Sequence, residues 1–260
     1  MHVGLLIVAT GRYAGYLPGL LSDCAERFLP KRERTAFVFS DALPPQPPGL
    51  RVVHVPTAHE PWPHPTLHRY HYFCRARTRL ETEDVLYYLD ADTRVVAEVG
   101  DEILPDAEHP LAAVAHPGYC GRWARDGRLA RAARALGLGI PERRWVARPL
   151  RGAYETRPES TACVARHEGR VYLMGGFYGG RTAAFLAMAE RIRADVDRDA
   201  ARGITAVWHD ESHLNRYLID HPPRVLTPSH GFPEGWDLPF PPRIVLLDKD
   251  HAAMRAPIEA

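Results

Sequence analysis

Residues 207–219, VWHDESHLNRYLI, place His209 and His213 four apart with Asp210 and Glu211 between them. On a helix the two imidazoles would share one face, as metal-binding pairs do. The zinc-protease pattern H-E-x-x-H needs its glutamate directly after the first histidine, where it serves as general base beside the metal. Here that slot holds Asp210, one methylene shorter, and Glu211 follows about 100° further round the helix. No later histidine offers an obvious spacing for a third ligand. An ordinary helix start also fits, with Asp210 or Ser212 as N-cap and Leu214, Tyr217 and Leu218 as its buried stripe. His213 then reads as structural. That account leaves the density of Trp, His, Asp and Glu unexplained.

A second constellation is Asp90-Ala91-Asp92, directly after the apolar run VLYYL. Alternation along an extended chain puts both carboxylates on one side, with Ala91 turned away. Two acids at a strand end can hold a hard divalent cation that also grips a diphosphate. Such triplets are often mere polar strand ends, and the position behind a buried strand favours the functional reading. Neither glycine-rich stretch is a nucleotide loop of known pattern. MGGFYGG (174–180) lacks the G-K-[ST] ending, and GRYAG (11–15) is not a dinucleotide G-x-G-x-x-G.

The elements that must carry these residues alternate in type. VGLLIVAT (3–10) is a short apolar run of a central parallel strand. YLPGLLSDCAERFL has helical spacing, RTAFVFSD (34–41) and RVVHVPT (51–57) read as strands, and ALPPQPPG (42–49) as a loop. PTLHRYHYFCRARTRL (65–80) has the length of one helix with Pro65 in its first turn. DVLYYLDADTRVV (84–96) reads as a strand ending in acids, VYLMGGFYGG (171–180) as another, and a helix runs from about Thr182 to Ala201. Strands alternating with helices predict an α/β domain with a largely parallel sheet. In such sheets ligands bind at the carboxyl ends of strands, where TGRY and DAD fall.

The chain has 260 residues, enough for one good core, with no repeat and no interdomain linker. A net charge of +1 argues against a dedicated nucleic-acid surface, although segment 121–151 is rich in arginine. That segment reads as a solvated helix face, with contact to an anionic surface or acidic substrate as the alternative. Lysine occurs only at Lys31 and Lys249. Cys24, Cys74, Cys120 and Cys163 form no C-x-x-C pair and fit reduced thiols of a cytosolic protein. The N-terminal apolar run is too short to span a bilayer. A cytoplasmic protein with no transmembrane segment is expected.

The chain resembles the retaining α-1,3-galactosyl and N-acetylgalactosaminyl transferases of glycosyltransferase family six, the blood-group A and B transferase family. The resemblance rests on ATGRYAGYLPGLLSDCAERF (9–28), LDADTRV (89–95), AHPGY (115–119), YETRPES (154–160) and GGFYGG (175–180). AVWHDESHLNRYLIDHPPRVLTP (206–228) and KDHAAMR (249–255) complete it. It implies a GT-A fold in a single domain over 1–260. Residues 1–96 would form a nucleotide-binding half, 97–248 an acceptor and catalytic half, and 249–260 a mobile tail. By the same resemblance Val8, Ala9 and Tyr13 cradle uridine, and Arg69 lies at the donor sugar and phosphates. Asp90 and Asp92 bind Mn²⁺ (or Mg²⁺) with the donor. Met174 and Gly176 shape the pocket for the sugar's C2 substituent, Gly175 belongs to the donor site, and His209 and Asp210 touch the sugar. His116 and Trp208 meet the acceptor, Glu211 is the catalytic carboxylate, and Lys249 and Arg255 close over the diphosphate.

The implied activity is transfer of Gal or GalNAc from a UDP-sugar to an acceptor hydroxyl, forming an α-1,3-type bond with a divalent metal on the diphosphate. Bacterial relatives that carry N-x-N need no metal; the retained D-x-D predicts metal dependence. The family resemblance leaves two alternatives. One is a transferase of the same fold with another UDP-sugar or a secondary-metabolite acceptor. The other is a catalytically weak nucleotide-sugar or glycan-binding module. Segment 121–151 is longer than in vertebrate members and borders the acceptor region, so the acceptor is a glycan, a lipid-linked precursor or a small molecule.

Overall fold

The structure, a computed structural model, describes residues 1–119 and 153–255. The Arg-rich segment 121–151, the end of the tail and the Arg255 side chain lie outside the described residues. Strand β1 (His2–Val8) pairs in parallel with β2 (Glu33–Ser40) and with β4 (Val85–Asp90), and β2 pairs in parallel with β3 (Arg51–Pro56). Strand β7 (Leu173–Arg181) runs antiparallel to β4 and to β6 (Leu111–Ala115), and β8 (Arg224–Leu226) closes the edge parallel to β6. The order is β3-β2-β1-β4-β7-β6-β8. A small second sheet orders β5 (Thr93–Val95), β10 (Ile244–Leu246) and β9 (Phe232–Pro233) as β5-β10-β9. The predicted α/β class with a mainly parallel, Rossmann-like sheet is the observed one.

Unbroken apolar runs mark strands buried on both faces. Leu5 and Ile7 pack with Leu20, Leu21, Phe28, Tyr87 and Phe177 on one side of the sheet. Leu6 packs with Phe39, Phe73, Tyr88, Tyr178 and Phe185 on the other. The first of these layers is covered by α1 (Leu17–Arg27), which follows a 3-10 turn over Gly11–Tyr16. Glycines let β7 lie close to its neighbours. A Cβ on Gly179 would clash with the Leu86 carbonyl oxygen, and Gly180 has φ +149 and no room for a Cβ beside the Pro110 oxygen.

Two expected elements are divided. The single helix over 65–80 is three short ones, α2 (His64–Leu67), α3 (Arg69–Arg75) and α4 (Arg77–Leu80), parted at His68 and Ala76 where ψ is 0 and 4°. Tyr70, Phe73, Ala76 and Leu80 remain buried at helical spacing across the breaks, which is why the pattern reads as continuous. The strand expected over 84–96 ends at Asp90, where the Thr93 hydroxyl donates to the Asp90 carbonyl at 2.8 Å and closes a turn. The chain then changes sheet. The remaining α-helices among the described residues are α5 (Thr182–Ala200), α6 (His209–Asp220) and α7 (His251–Arg255). No described helix is long and apolar enough to cross a membrane.

Candidate active site

The chain leaves β1 toward β2 on one side, and β4 returns on its other side, so a crevice opens outside their carboxyl ends. Val8 and Asp90 are register partners at that end. The crevice holds a cavity of about 440 Å³ whose lining includes Val8, Tyr13, Arg69, Asp90, Asp92 and Lys249. Ala91 lines it too, because residues 91–92 turn instead of alternating. Ala9 is fully buried behind the wall. A larger cavity, about 710 Å³, lies beyond Glu60 toward Arg75 and Arg79, and Glu60 is the only carboxylate in its lining among the described residues.

Arg69 organises the centre. Its guanidinium is buried, donates to the Gly175 carbonyl at 3.2 Å, and lies 3.3 Å from Asp210 and 3.5 Å from Asp90. The Tyr88 ring supports it at 4.2 Å, and the Tyr88 hydroxyl donates to Asp90 Oδ1 at 2.6 Å. Arg69 Nε is buried and has no hydrogen-bond partner among the described residues. A buried donor in that state is suited to receive a ligand oxygen.

Asp92 accepts a hydrogen bond from the Lys249 ammonium, which also lies 5.0 Å from the Tyr13 ring centroid. Burial pushes the Asp92 carboxyl up, the Asp90 charge adds to this, and Lys249 opposes it. Burial also pulls Lys249 down, but the neighbouring aspartates outweigh it and its pKa is raised. Among the described residues no group of three or more His, Cys, Asp or Glu side chains could enclose a metal. Asp90 and Asp92 nevertheless fit a hard cation that takes its remaining oxygens from a diphosphate and water. Two mutually repelling carboxylates in one crevice supply the oxygen chemistry such an ion needs.

The opening motif forms α6, and neither expected cap holds. Trp208 is the N-cap, and its N–H donates to Ser212 Oγ at 3.0 Å. His209 has φ +50, a left-handed conformation that costs a non-glycine residue and is stored where surrounding structure enforces it. Its ring meets Trp62 edge-on at 5.1 Å. The Glu155 carboxylate anchors the preceding loop by accepting from the Val207 N–H at 2.9 Å and from Arg157. The hydrogen bonds from Arg157 lead in pulling Glu155 down to about 2. Asn215 clamps α6 to β7, accepting from Leu173 N–H at 2.9 Å and donating to the Leu173 carbonyl at 2.8 Å.

That clamp sets Glu211 against β7. Gly175 N–H donates to Glu211 Oε2 at 2.7 Å, and the Tyr172 hydroxyl donates to Oε1 at 2.8 Å. Burial pushes Glu211 up to about 7 despite these two donors. Burial likewise pushes Asp210 up to about 6, with Arg69 pulling the other way. The two adjacent acids therefore face different partners, Arg69 for Asp210 and Tyr172 with Gly175 for Glu211. His213 is buried and pulled down to about 4 by that burial, as a structural histidine would be.

Gly176 faces Asp90 and Met174, since a Cβ built there would lie 3.0 Å from Asp90 Oδ2 and 2.8 Å from Met174 Cε. His116 packs against Tyr172, with ring centroids 5.6 Å apart, and burial pulls it down to about 4. Trp208, at the start of α6, is 49% exposed. The structure thus gathers Val8, Tyr13, Arg69, Asp90, Asp92 and Lys249 around one cavity. Met174, Gly175, Gly176, His209, Asp210 and Glu211 lie outside its lining. Gly175 and Asp210 join it through Arg69, Gly176 through Asp90, and His209 through Trp62, while Glu211 is held on Gly175 and Met174 borders Gly176. Sequence reasoning missed Tyr88, Trp62 and Tyr172. Tyr88 had a signal: it stands two residues before Asp90 on a strand and so on the same face.

The family model described as Glycosyltransferase family 6 matches residues 141–255. Histo-blood group ABO system transferase 2 of Rattus norvegicus is 30% identical over 267 residues, 97% of this chain and 71% of that protein. Globoside alpha-1,3-N-acetylgalactosaminyltransferase 1 of Homo sapiens is 28% identical over 272 residues, 98% of this chain and 69% of that protein. O-antigen biosynthesis glycosyltransferase WbnI of Escherichia coli is 24% identical over 251 residues, covering 96% of each chain. With relatives of that kind aligned along nearly its whole length, and a crevice of acids and cations where an α/β sheet binds ligands, this chain belongs to glycosyltransferase family 6.

Proposed function

We propose that this glycosyltransferase moves Gal or GalNAc from a UDP-sugar to an acceptor hydroxyl, with retention, forming an α-1,3-type bond. The carrying observation is the Asp90–Arg69–Asp210 bridge, which joins the crevice at the strand ends to the carboxylate pair on α6. Uridine stacks on Tyr13 in this reading, with Val8 forming the floor and the buried Ala9 backing it. Arg69 and Lys249 face the diphosphate, and Arg255 is assigned to it by the family resemblance alone. A divalent cation held by Asp90 and Asp92 would neutralise charge on the leaving diphosphate. Asp210 and His209 hold sugar hydroxyls, while His116 and Trp208 border the acceptor.

UDP departs with the electron pair of the anomeric C–O bond. The ionised Glu211 carboxylate meets the oxocarbenium-like sugar from the opposite face, as an ion pair or as a glycosyl ester. The acceptor oxygen then bonds the anomeric carbon on the face UDP left, giving its proton to the departing diphosphate or to water. Its raised pKa of about 7 makes turnover rise with pH through neutrality as the carboxylate forms. The test is UDP release from UDP-Gal and UDP-GalNAc with Mn²⁺, first without acceptor and then over an acceptor array. Slow hydrolysis alone marks an enzyme. Tight UDP-sugar binding with no UDP release under any condition would instead mark a binding module and overturn the reading.

Gly176→Ala is expected to move preference from UDP-GalNAc toward UDP-Gal. The new methyl must displace the flexible Met174 end or the Asp90 carboxylate, leaving less room for an N-acetyl group. A change of about 1–3 kcal/mol in discrimination corresponds to one methyl in a close-fitting pocket. An unchanged ratio of kcat/KM for the two donors would refute the assignment.

A further inference from the structure

We propose that Tyr172 is a positioning residue for the Glu211 carboxylate, and that its phenol is held for this task by an aromatic bracket. The inference rests on the reading of Glu211 as the acting carboxylate. Tyr172 is 2% exposed, and its ring makes three edge-to-face contacts, with His116 at 5.6 Å and with Tyr119 and Tyr154 at 5.0 Å each. Its carbonyl accepts from His116 N–H at 2.8 Å, so backbone and ring are both fixed. A phenol so confined has one place to point its hydroxyl, and it points at Glu211 Oε1. Gly175, three residues on, takes Oε2. The two donors grip the carboxylate by both oxygens and leave each one further lone pair free.

Among the described residues the other charged groups around Glu211 are Asp210 on its own helix, Asp90 from β4, and Arg69 from α3, which is engaged by Asp210 and Asp90. Among the described residues no cation pairs with Glu211, so neutral donors alone stabilise its charge. Of these, the Gly175 N–H cannot be removed by substitution without altering β7. The phenol is the adjustable member. His116 stands directly behind it, so the wall assigned to the acceptor abuts the residue that holds the acid.

The test is the pH dependence of kcat and KM for donor hydrolysis and for transfer in Tyr172→Phe and in a protein carrying 3-fluorotyrosine at 172. Loss of the phenol is expected to lower kcat at neutral pH by roughly 10- to 100-fold, the usual worth of a hydrogen bond to a charged group, with donor KM little changed. The acidic limb should move up by about one unit, because a donor favouring the ionised form is gone. The fluorinated phenol has the native shape and is a stronger donor, so it should move the limb down. It gives a reading even where the phenylalanine variant folds poorly, as thermal melts will reveal. An equal fall at every pH with the limb unmoved, or a limb moved the same way by both changes, overturns the proposal. Glu211→Gln in parallel separates the two levels. If it keeps most of its kcat, the catalytic reading fails; if it is inactive while Tyr172→Phe leaves the limb in place, only the positioning role fails.

Discussion

Glu211→Gln is expected to keep UDP-sugar affinity within a few-fold while kcat falls by roughly 10²–10⁴. The amide has nearly the shape of the carboxylate, and its oxygen can accept from Gly175 N–H while its NH₂ turns to the Tyr172 oxygen. Geometry is therefore kept and charge is lost. A carboxylate that faces an oxocarbenium-like centre acts mainly at the transition state, so the loss should appear in kcat. The same substitution should alter stability in the opposite sense. The folded pKa of about 7 lies above the ordinary carboxylate value of 4.5, so the native state favours the protonated form. The stability this contributes is fully present below the unfolded value and is lost as pH rises through about 7. An amide at 211 carries no such penalty. The variant should melt above wild type at mildly alkaline pH, by up to about 3 kcal/mol, with the gain vanishing in acid. Asp210→Asn should behave differently, weakening donor binding as well as turnover, because it removes one carboxylate from the Arg69 bridge. Retention of most kcat in Glu211→Gln would leave Glu211 as a helix-start acid and remove the basis of the mechanism.

The strands and the long helix were legible in the sequence because burial on both faces of a sheet, or on one face of a helix, writes a pattern into consecutive residues. The two glycine pairs of GGFYGG are identical in sequence but serve different ends. Gly175 and Gly176 border carboxylates, whereas Gly179 and Gly180 admit the backbones of β4 and β6. The breaks at His68 and Ala76 left no trace because the buried face continues through them. The turn at Ala91 was hidden for another reason. It depends on a Thr93 hydroxyl reaching back to Asp90, and on β10, far along the chain, recruiting Thr93–Val95 into a second sheet. Tyr172 was missed because a tyrosine in an apolar run read as strand is unremarkable until Asn215 and Glu211 arrive from α6. The acids at the strand end and on α6 could be named from their types and order. The arginine that joins them could be named only through resemblance, since nothing local in RYHYF reports what Arg69 will meet.

Chelation is expected to abolish UDP release, Mn²⁺ to restore it, and Asp92→Asn to cut activity at least a hundredfold. The reason is one of charge. Asp90, Asp92 and Asp210 bring three negative charges to the crevice, and Arg69 and Lys249 bring two positive ones. A diphosphate entering this region adds further negative charge to a group already one short of neutrality. At an effective dielectric near 20, each like-charge pair about 4 Å apart costs ~4 kcal/mol, so the ligand needs another cation. Lys249 cannot fill the need twice, since the ammonium on Asp92 is the same one assigned to the phosphates. A divalent ion on Asp90 and Asp92 frees Lys249 to turn outward to the ligand. Lys249→Ala should therefore lower kcat, yet bind Mn²⁺ more tightly than wild type in the absence of nucleotide, because a competitor for Asp92 has gone. Titration calorimetry of metal alone reads this without reference to turnover. Full activity in excess chelator, together with an inactive Lys249→Ala that binds no more metal than wild type, would show that the ammonium alone serves the diphosphate and would end the metal assignment.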